Sequence, residues 1–229
     1  MKKSLVFLSF LFISYTLKAQ KISVQAGANF ANITNTKSGN VENNKTLTTL
    51  NAGLIGNFKL SPVFSIAPGL LFTGKGSKTK TTFTDNSYVT TKFNPYYIEL
   101  PVDIVFHLPL DTKNKFFISA GPYIAVGVGG KSISDFVVGD VTTTIEREIE
   151  YDNDNPFTSQ QEDAAYYKLK RFDYGLNVGA GIILNSFLIK LNYGYGLSKI
   201  NSTQNDNNED DLNKYRTISL SVGIPLNGF

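Results

Sequence analysis

The sequence predicts an all-β fold: an eight-stranded antiparallel up-and-down transmembrane β-barrel with short periplasmic turns and long extracellular loops. Three observations carry that prediction. Eight stretches alternate, with period two, between large apolar residues and small or polar ones. Short and long connections between those stretches alternate as well. The chain opens with an export leader and then holds no run long and apolar enough for a spanning helix.

The leader comes first. Met1-Lys2-Lys3 is a basic start, Ser4 to Leu17 is nearly unbroken apolar chain, and Lys18-Ala19-Gln20 offers a cleavage site after Ala19. This predicts a signal peptide over 1–19 and one barrel domain over 20–229. Loss of Lys2, Lys3 and Lys18 turns 22 basic residues into 19, against 19 acidic ones, so the mature domain is neutral. That removes the electrostatic footprint of a nucleic-acid binder. The lack of cysteine excludes a lipoprotein anchor, a thiol nucleophile and a disulfide framework.

The strands follow in order. The first spans about 21–33 and the second about 47–60. The third, about 63–77, sets Phe64, Ile66, Leu70 and Phe72 against Ser65, Gly69, Thr73 and Lys75. The fourth, about 93–108, sets Tyr96, Ile98, Leu100, Val102, Ile104 and Phe106 against Glu99, Asp103 and His107. The fifth, about 115–130, sets Phe116, Ile118, Ile124 and Val126 against Ser119, Gly121 and Gly127. In the sixth, Tyr174, Leu176, Val178 and Ile182 face away from Asp173, Asn177 and Gly179. In the seventh, Phe187, Ile189, Leu191 and Tyr193 face away from Lys190, Asn192 and Gly194. The eighth alternates Ile218, Leu220, Val222 and Ile224 with Thr217, Ser219 and Ser221. Pro68, Pro101 and Pro122 fall inside strands, where a closed barrel has no edge for a missing N–H, so bulges or kinks are expected there.

A soluble barrel packs its bulky apolar face inside. Eight strands enclose a lumen only wide enough for side chains, which suits the small and polar face and leaves the bulky face for lipid. The turns at 61–62, 109–114 and 185–186 are short, and the connections at 34–46, 78–92, 131–165 and 199–213 are long, as periplasmic turns and outer loops should be. Aromatic residues near the strand ends mark two girdles. Phe58, Phe64, Phe106, Phe116 and Phe187 belong to the periplasmic one, and Phe30, Phe72, Tyr96, Tyr174, Tyr193, Tyr195 and Tyr215 to the outer one.

Several stretches resemble the PorT-like outer-membrane β-barrel proteins of the Bacteroidetes. They are Leu70-Leu71-Phe72-Thr73-Gly74-Lys75-Gly76, Tyr97-Ile98-Glu99-Leu100-Pro101, Ala120-Gly121-Pro122-Tyr123, the run from Phe172 to Gly181, and Tyr195-Gly196-Leu197. The resemblance spans nearly the whole mature chain. It implies the barrel fold and the cell outer membrane, and, through PorT itself, an accessory part in type IX protein secretion.

Two sets of residues are candidates for function. Lys59, Glu99, Asp103, His107 and Lys190 point into the lumen and form a polar network there, in which Asp103 is expected to reach Lys190 or Lys59. Glu99, Asp103 and His107 are four residues apart along one strand face, about 13 Å, so they do not touch one another and do not make a catalytic set. The second set is acidic. The segment 131–165 carries nine acidic residues against two basic ones, and Asp135, Asp140, Glu146, Glu148, Glu150, Asp152 and Asp154 are its candidate partner-binding residues. Thr142 to Tyr151 alternates, so part of the segment extends a strand above the membrane. Asp152-Asn153-Asp154-Asn155 departs from a calcium loop at Pro156 and Phe157, so no metal is assigned. Asp206, Glu209, Asp210 and Asp211 make a second acidic loop. The expected function is a non-enzymatic structural or interaction scaffold displaying outer loops, without cofactors. Its partners are outer-membrane lipid and lipopolysaccharide and, at the loops, a protein; a passive porin is disfavoured by the narrow lumen.

Overall fold

The computed structural model describes residues 20–37, 40–43, 45–111, 114–152, 168–185, 187–200 and 213–226. The expected leader, residues 153–167 and the second acidic loop lie outside them. The elements are β1 (Gln20–Lys37), β2 (Asn40–Asn43), β3 (Leu47–Lys59), β4 (Phe64–Gly74), β5 (Ser77–Thr84), β6 (Ser87–Pro109) and β7 (Asn114–Val138). They continue with β8 (Val141–Glu148), β9 (Glu150–Asp152), β10 (Lys168–Lys170), β11 (Phe172–Leu184), β12 (Phe187–Gly196) and β13 (Lys214–Pro225).

Eight of these strands form a closed antiparallel ring. The order is β6-β4-β3-β1-β13-β12-β11-β7, and β7 pairs back onto β6. One circuit through paired residues runs Gln20, Phe58, Ile66, Ile104, Ala120, Val178, Tyr193, Ile218 and back to Phe30. The return falls ten residues along β1, which is the stagger of the barrel. With eight strands it fixes a strand tilt of about 40° and a backbone radius of about 8 Å, a tube that its own side chains fill.

Burial alternates along the wall as the period-two pattern requires. Along β6, Leu100, Val102, Ile104 and Leu108 are exposed on the outside, while Tyr97, Glu99, Asp103, Val105 and His107 are buried inside. Phe64 stacks on Phe106 (5.0 Å between rings) near the periplasmic end, and Phe72 stacks on Tyr96 (5.3 Å) near the outer end. Eight residues of β4 separate Phe64 from Phe72. At about 3.4 Å each, tilted by ~40°, they set the two girdles about 20 Å apart, near the height of an outer-membrane apolar band. Tyr215 is a correction. It is 2% exposed and faces the lumen, because counting in twos from lipid-facing Ile218 puts Arg216, and not Tyr215, on the outside.

The prolines cause no register slip. The ladders lapse beside Pro68, Pro101 and Pro122 and resume in the same register. The one shift in the β6–β7 ladder lies between Tyr96 and Tyr97, where Val128 is an extra residue between Gly127 and Gly129.

That bulge marks the top of the ring. Above it β6 and β7 continue as strands, flanked by β5 and β8, so a four-stranded sheet in the order β5-β6-β7-β8 stands on the outer rim. The connection expected as a loop at 78–92 is therefore a hairpin, and in 131–165 the strand expected from the alternation of Thr142 to Tyr151 is present as β8 and β9, with β8 paired to the extension of β7. Gly76 and Gly130 hold the junction in backbone conformations (φ +136° and +146°) that side chains rarely adopt. A Cβ on Gly76 would lie 1.9 Å from the Phe93 carbonyl oxygen, and one on Gly130 2.6 Å from that of Asn94.

Candidate functional site

The lumen is filled in tiers. The outermost is an apolar plug of Ile33, Tyr97, Tyr123, Ala125, Ile149, Leu169, Ile200 and Tyr215, with Phe93 and Tyr151 packed against it. Tyr97 meets Tyr151 and Tyr215 edge-on, each with 5.6 Å between ring centres, and its hydroxyl lies 3.2 Å from that of Tyr215. Tyr151 comes from β9 and donates to the carbonyls of Tyr96 (3.1 Å) and Gly129 (2.9 Å), so the acidic segment lends its base to the plug. The parallel β9–β10 pairing brings Leu169 to the same place.

Beneath the plug lies Lys75, buried at 3% exposure. Its ammonium is 2.7 Å from Asp173 and 2.9 Å from Glu99, and sits 4.2 Å from the Tyr123 ring centre. Tyr123 and Ser198 donate hydrogen bonds to Asp173, and Asn177 donates to Glu99 (3.2 Å). The sequence places Lys75 and Asp173 on the inward face. It gives no sign that they meet, because the pairing across 98 positions depends on the stagger.

Below this, Lys190 Nζ donates to Asp103 Oδ2 at 2.7 Å. His107 Nε2 shares a hydrogen bond with Ser65 at 2.8 Å, and Asn57 donates to Ser65 at 3.1 Å. Glu99, Asp103 and His107 therefore have three different partners. Lys59 is the one member of the expected network that stands outside it, exposed at the periplasmic mouth.

The acidic candidates also separate. Asp135 in β7 accepts from Thr144 (2.8 Å) and lies 3.8 Å from Lys92 of β6. Glu146 in β8 is hydrogen-bonded to Lys131, which holds that ammonium above its ordinary 10.5. Asp140 is exposed in the β7–β8 turn, and Glu148 and Glu150 are exposed. Asp152 belongs to β9, and Asp154 lies outside the described residues. The described part is thus a partly paired sheet face and not a free acidic loop. Among the described residues there is no cluster of three metal-ligating side chains.

Following the faces up β6, the residues that continue the outer surface are Asn94, Lys92, Thr90 and Tyr88, joined across the sheet by Lys78, Lys80, Lys131, Asp135, Glu146 and Glu148, with Ile133 and Val137 among them. The face turned toward the barrel axis carries Val89, Phe93, Phe136, Val138, Val141 and Ile145. The apolar side has changed places. β5 is capped at Lys78 by mutual backbone hydrogen bonds with Lys45 (2.7 and 2.8 Å). β8, at the other edge, has no second neighbour among the described residues.

The family model described as "Outer membrane protein beta-barrel domain" matches residues 18–202. No curated protein matches the chain. Among solved structures, the chain is similar to Ail, the attachment invasion locus protein of Yersinia pestis, in complex with the heparin analogue sucrose octasulfate. That match has 13% identity and a TM-score of 0.40 and covers 90% of this chain and 99% of that one. Neisserial surface protein A is similar at 12% identity and TM-score 0.42, with 89% and 96% covered. The N-terminal β-barrel domain of Pseudomonas aeruginosa OprF follows at 10% and 0.32, with 89% and 97% covered.

Proposed function

We propose, from the premise that this chain belongs to the outer membrane protein β-barrel domain family, that it is a non-enzymatic scaffold in the cell outer membrane whose working part is the sheet β5-β6-β7-β8. The observation that carries this reading is the pairing of a sealed lumen with an open sheet. The plug and the Lys75 ion pairs fill the outer half of the ring's interior, whereas among the described residues β8 offers an unshared strand edge with acidic Glu146 and Glu148 on one side and Val141 and Ile145 on the other. Such an edge recruits an extended segment of another protein by backbone hydrogen bonds, with side chains setting the choice.

The test trims the sheet without touching the plug. Ile133 and Glu146 are cross-strand partners, so residues 134–145 can be replaced by an Asn-Gly turn. The trimmed protein should keep its heat-dependent gel migration. A photo-crosslinker at Thr142 in the full-length protein on living cells should yield a defined protein adduct, and one at Leu191 on the lipid face should not. Adducts with lipid alone at both positions would defeat the reading.

Two finer points belong with it. The domain is exported on the leader 1–19, and sequencing of the mature N-terminus should begin at Gln20. The exposed carboxylates Glu148 and Glu150, through divalent cations, and the lipid band set the protein among lipopolysaccharide and lipid. A second reading, a PorT-like accessory role in type IX secretion, rests on the resemblance and is favoured by Lys21, Lys59 and Lys115, which line the periplasmic mouth. Loss of cargo secretion on deletion, restored by the trimmed protein, would put this second reading first.

A further inference from the structure

We propose that the periplasmic end of the barrel is a binding pocket for a short anionic amphiphile, a monocarboxylate with an apolar tail of about five to seven carbons. This site lies at the opposite end from the sheet and does not depend on the reading given for it.

The cavity measures about 200 Å³ and opens between the periplasmic turns. Its lining is graded along the barrel axis. At the mouth stand Lys21, Lys59 and Lys115, the lowest inward residues of β1, β3 and β7. Among the described residues none of the three has a carboxylate within 4 Å, in contrast to Lys75 and Lys190 farther in, which are both paired. Three ammonium groups around one opening repel one another, and an anion placed among them relieves that repulsion.

Behind the mouth the wall is apolar: Ile55, Val105, Phe117, Ile183 and Leu188, with four of these five belonging to a buried cluster around Ala67. Polar side chains share the lining: Ser23 and Gln25 of β1, Asn57 of β3, the Asp103-paired Lys190, His107 and Ser119. Among the described residues His107 Nδ1 and Ser119 Oγ have no hydrogen-bond partner, and their residues are 8% and 4% exposed. A pocket meant only for water would have no use for an apolar wall, and the one ammonium deeper in the cavity, Lys190, is already neutralised by Asp103, which leaves the unpaired cations at the rim. Cations at the rim and hydrocarbon within fit an amphiphile that enters tail first. A cavity of about 200 Å³ with an open mouth admits a short-chain carboxylate and is too small for a long acyl chain.

The probe is hexanoate, titrated into the full mature barrel in nanodiscs of zwitterionic lipid, with acetate, hexanol and inorganic phosphate as comparison arms. Methyl NMR of Ile55, Val105, Ile183 and Leu188 reads the pocket, and lipid-facing Leu220 and Val222 read partition into the bilayer. Hexanoate should shift the pocket methyls saturably and leave the lipid-facing ones still. Each buried methylene contributes about fourfold in affinity, so acetate should bind at least tenfold more weakly. Hexanol and phosphate should also lose tenfold or more. The double variant Lys59→Gln/Lys115→Gln, altered at two mouth side chains, should weaken hexanoate at least tenfold with an unchanged barrel spectrum. Equal binding of hexanol would show that the lysines play no part, and equal binding of acetate or phosphate that the wall plays none. Either result, shifts confined to the lipid-facing methyls, or the absence of saturation would overturn the proposal.

Discussion

β6 and β7 each run without a break through two surroundings, and the same strands carry opposite patterns in them. Inside the ring, β6 turns Ile98, Leu100, Val102 and Ile104 outward and Glu99, Asp103 and His107 inward. Above the bulge it turns Lys92 outward and Val89 and Phe93 inward. The backbone is β throughout, so the inversion records the medium outside: hydrocarbon below, water above. The Val128 bulge makes this possible, since one extra residue in β7 moves its inward set from odd to even positions while β6 keeps its parity. The place where the pattern turns over, residues 94–96, is thus a reading of the membrane boundary.

The comparison can be pressed hardest with ion pairs. Lys75→Ala leaves Asp173 and Glu99 buried without their cation and should cost about 3–5 kcal/mol in urea unfolding. Lys131→Ala, which breaks the exposed pair with Glu146 in the upper sheet, should leave the midpoint where it was. A smaller contrast comes from adding charge. Ile104→Arg on the lipid face should cost about 2–4 kcal/mol, whereas Ile145→Arg in the sheet should leave folding intact; equal losses would mean that both strand halves see the same medium. At the junction, Gly130→Val forces a side chain into a conformation and a space that reject it, at a cost of about 1–3 kcal/mol. Its mark should be faster proteolytic nicking of 131–148 with the ring still heat-modifiable. The least effect concerns pH. Glu146 raises the Lys131 pKa, so that pair helps the sheet below the unfolded lysine value and ceases to help as pH rises through the folded one. The protection factors of the β8 amides, which correct for the base-catalysed intrinsic rate, should stay level from pH 6 to 9 and fall at more alkaline pH.

The wall was legible because lipid imposes one simple rule on eight strands at once, and each strand's bulky face could be read without knowing its neighbours. β5 and β8 were harder. Lys-Thr-Lys-Thr-Thr and Val-Thr-Thr-Thr put threonine on both faces, and water penalises neither side. Tyr215 shows residue type competing with position: tyrosine suits a girdle, but parity from Ile218 turns it inward. The Lys75–Asp173 and Lys190–Asp103 contacts could not be fixed in advance, because which inward residues meet across the tube follows from the ten-residue stagger, and no single strand carries that number. Lys59 lies at the last inward step of β3, where the lumen gives way to solvent, so an inward direction did not bring enclosure.

The ring is sealed where β1 meets β13, with Val24 opposite Ile224, two hundred positions away. Every other seam of the wall joins strands close in the chain, so the last one to form is also the one with the largest loop-closure cost. Until that seam zips, both flanking strands show open edges and the lipid-facing band of each hairpin is wet. A substitution in β13 should therefore slow the appearance of the heat-resistant form more than the same substitution in β4, even where the two finished barrels are equally stable.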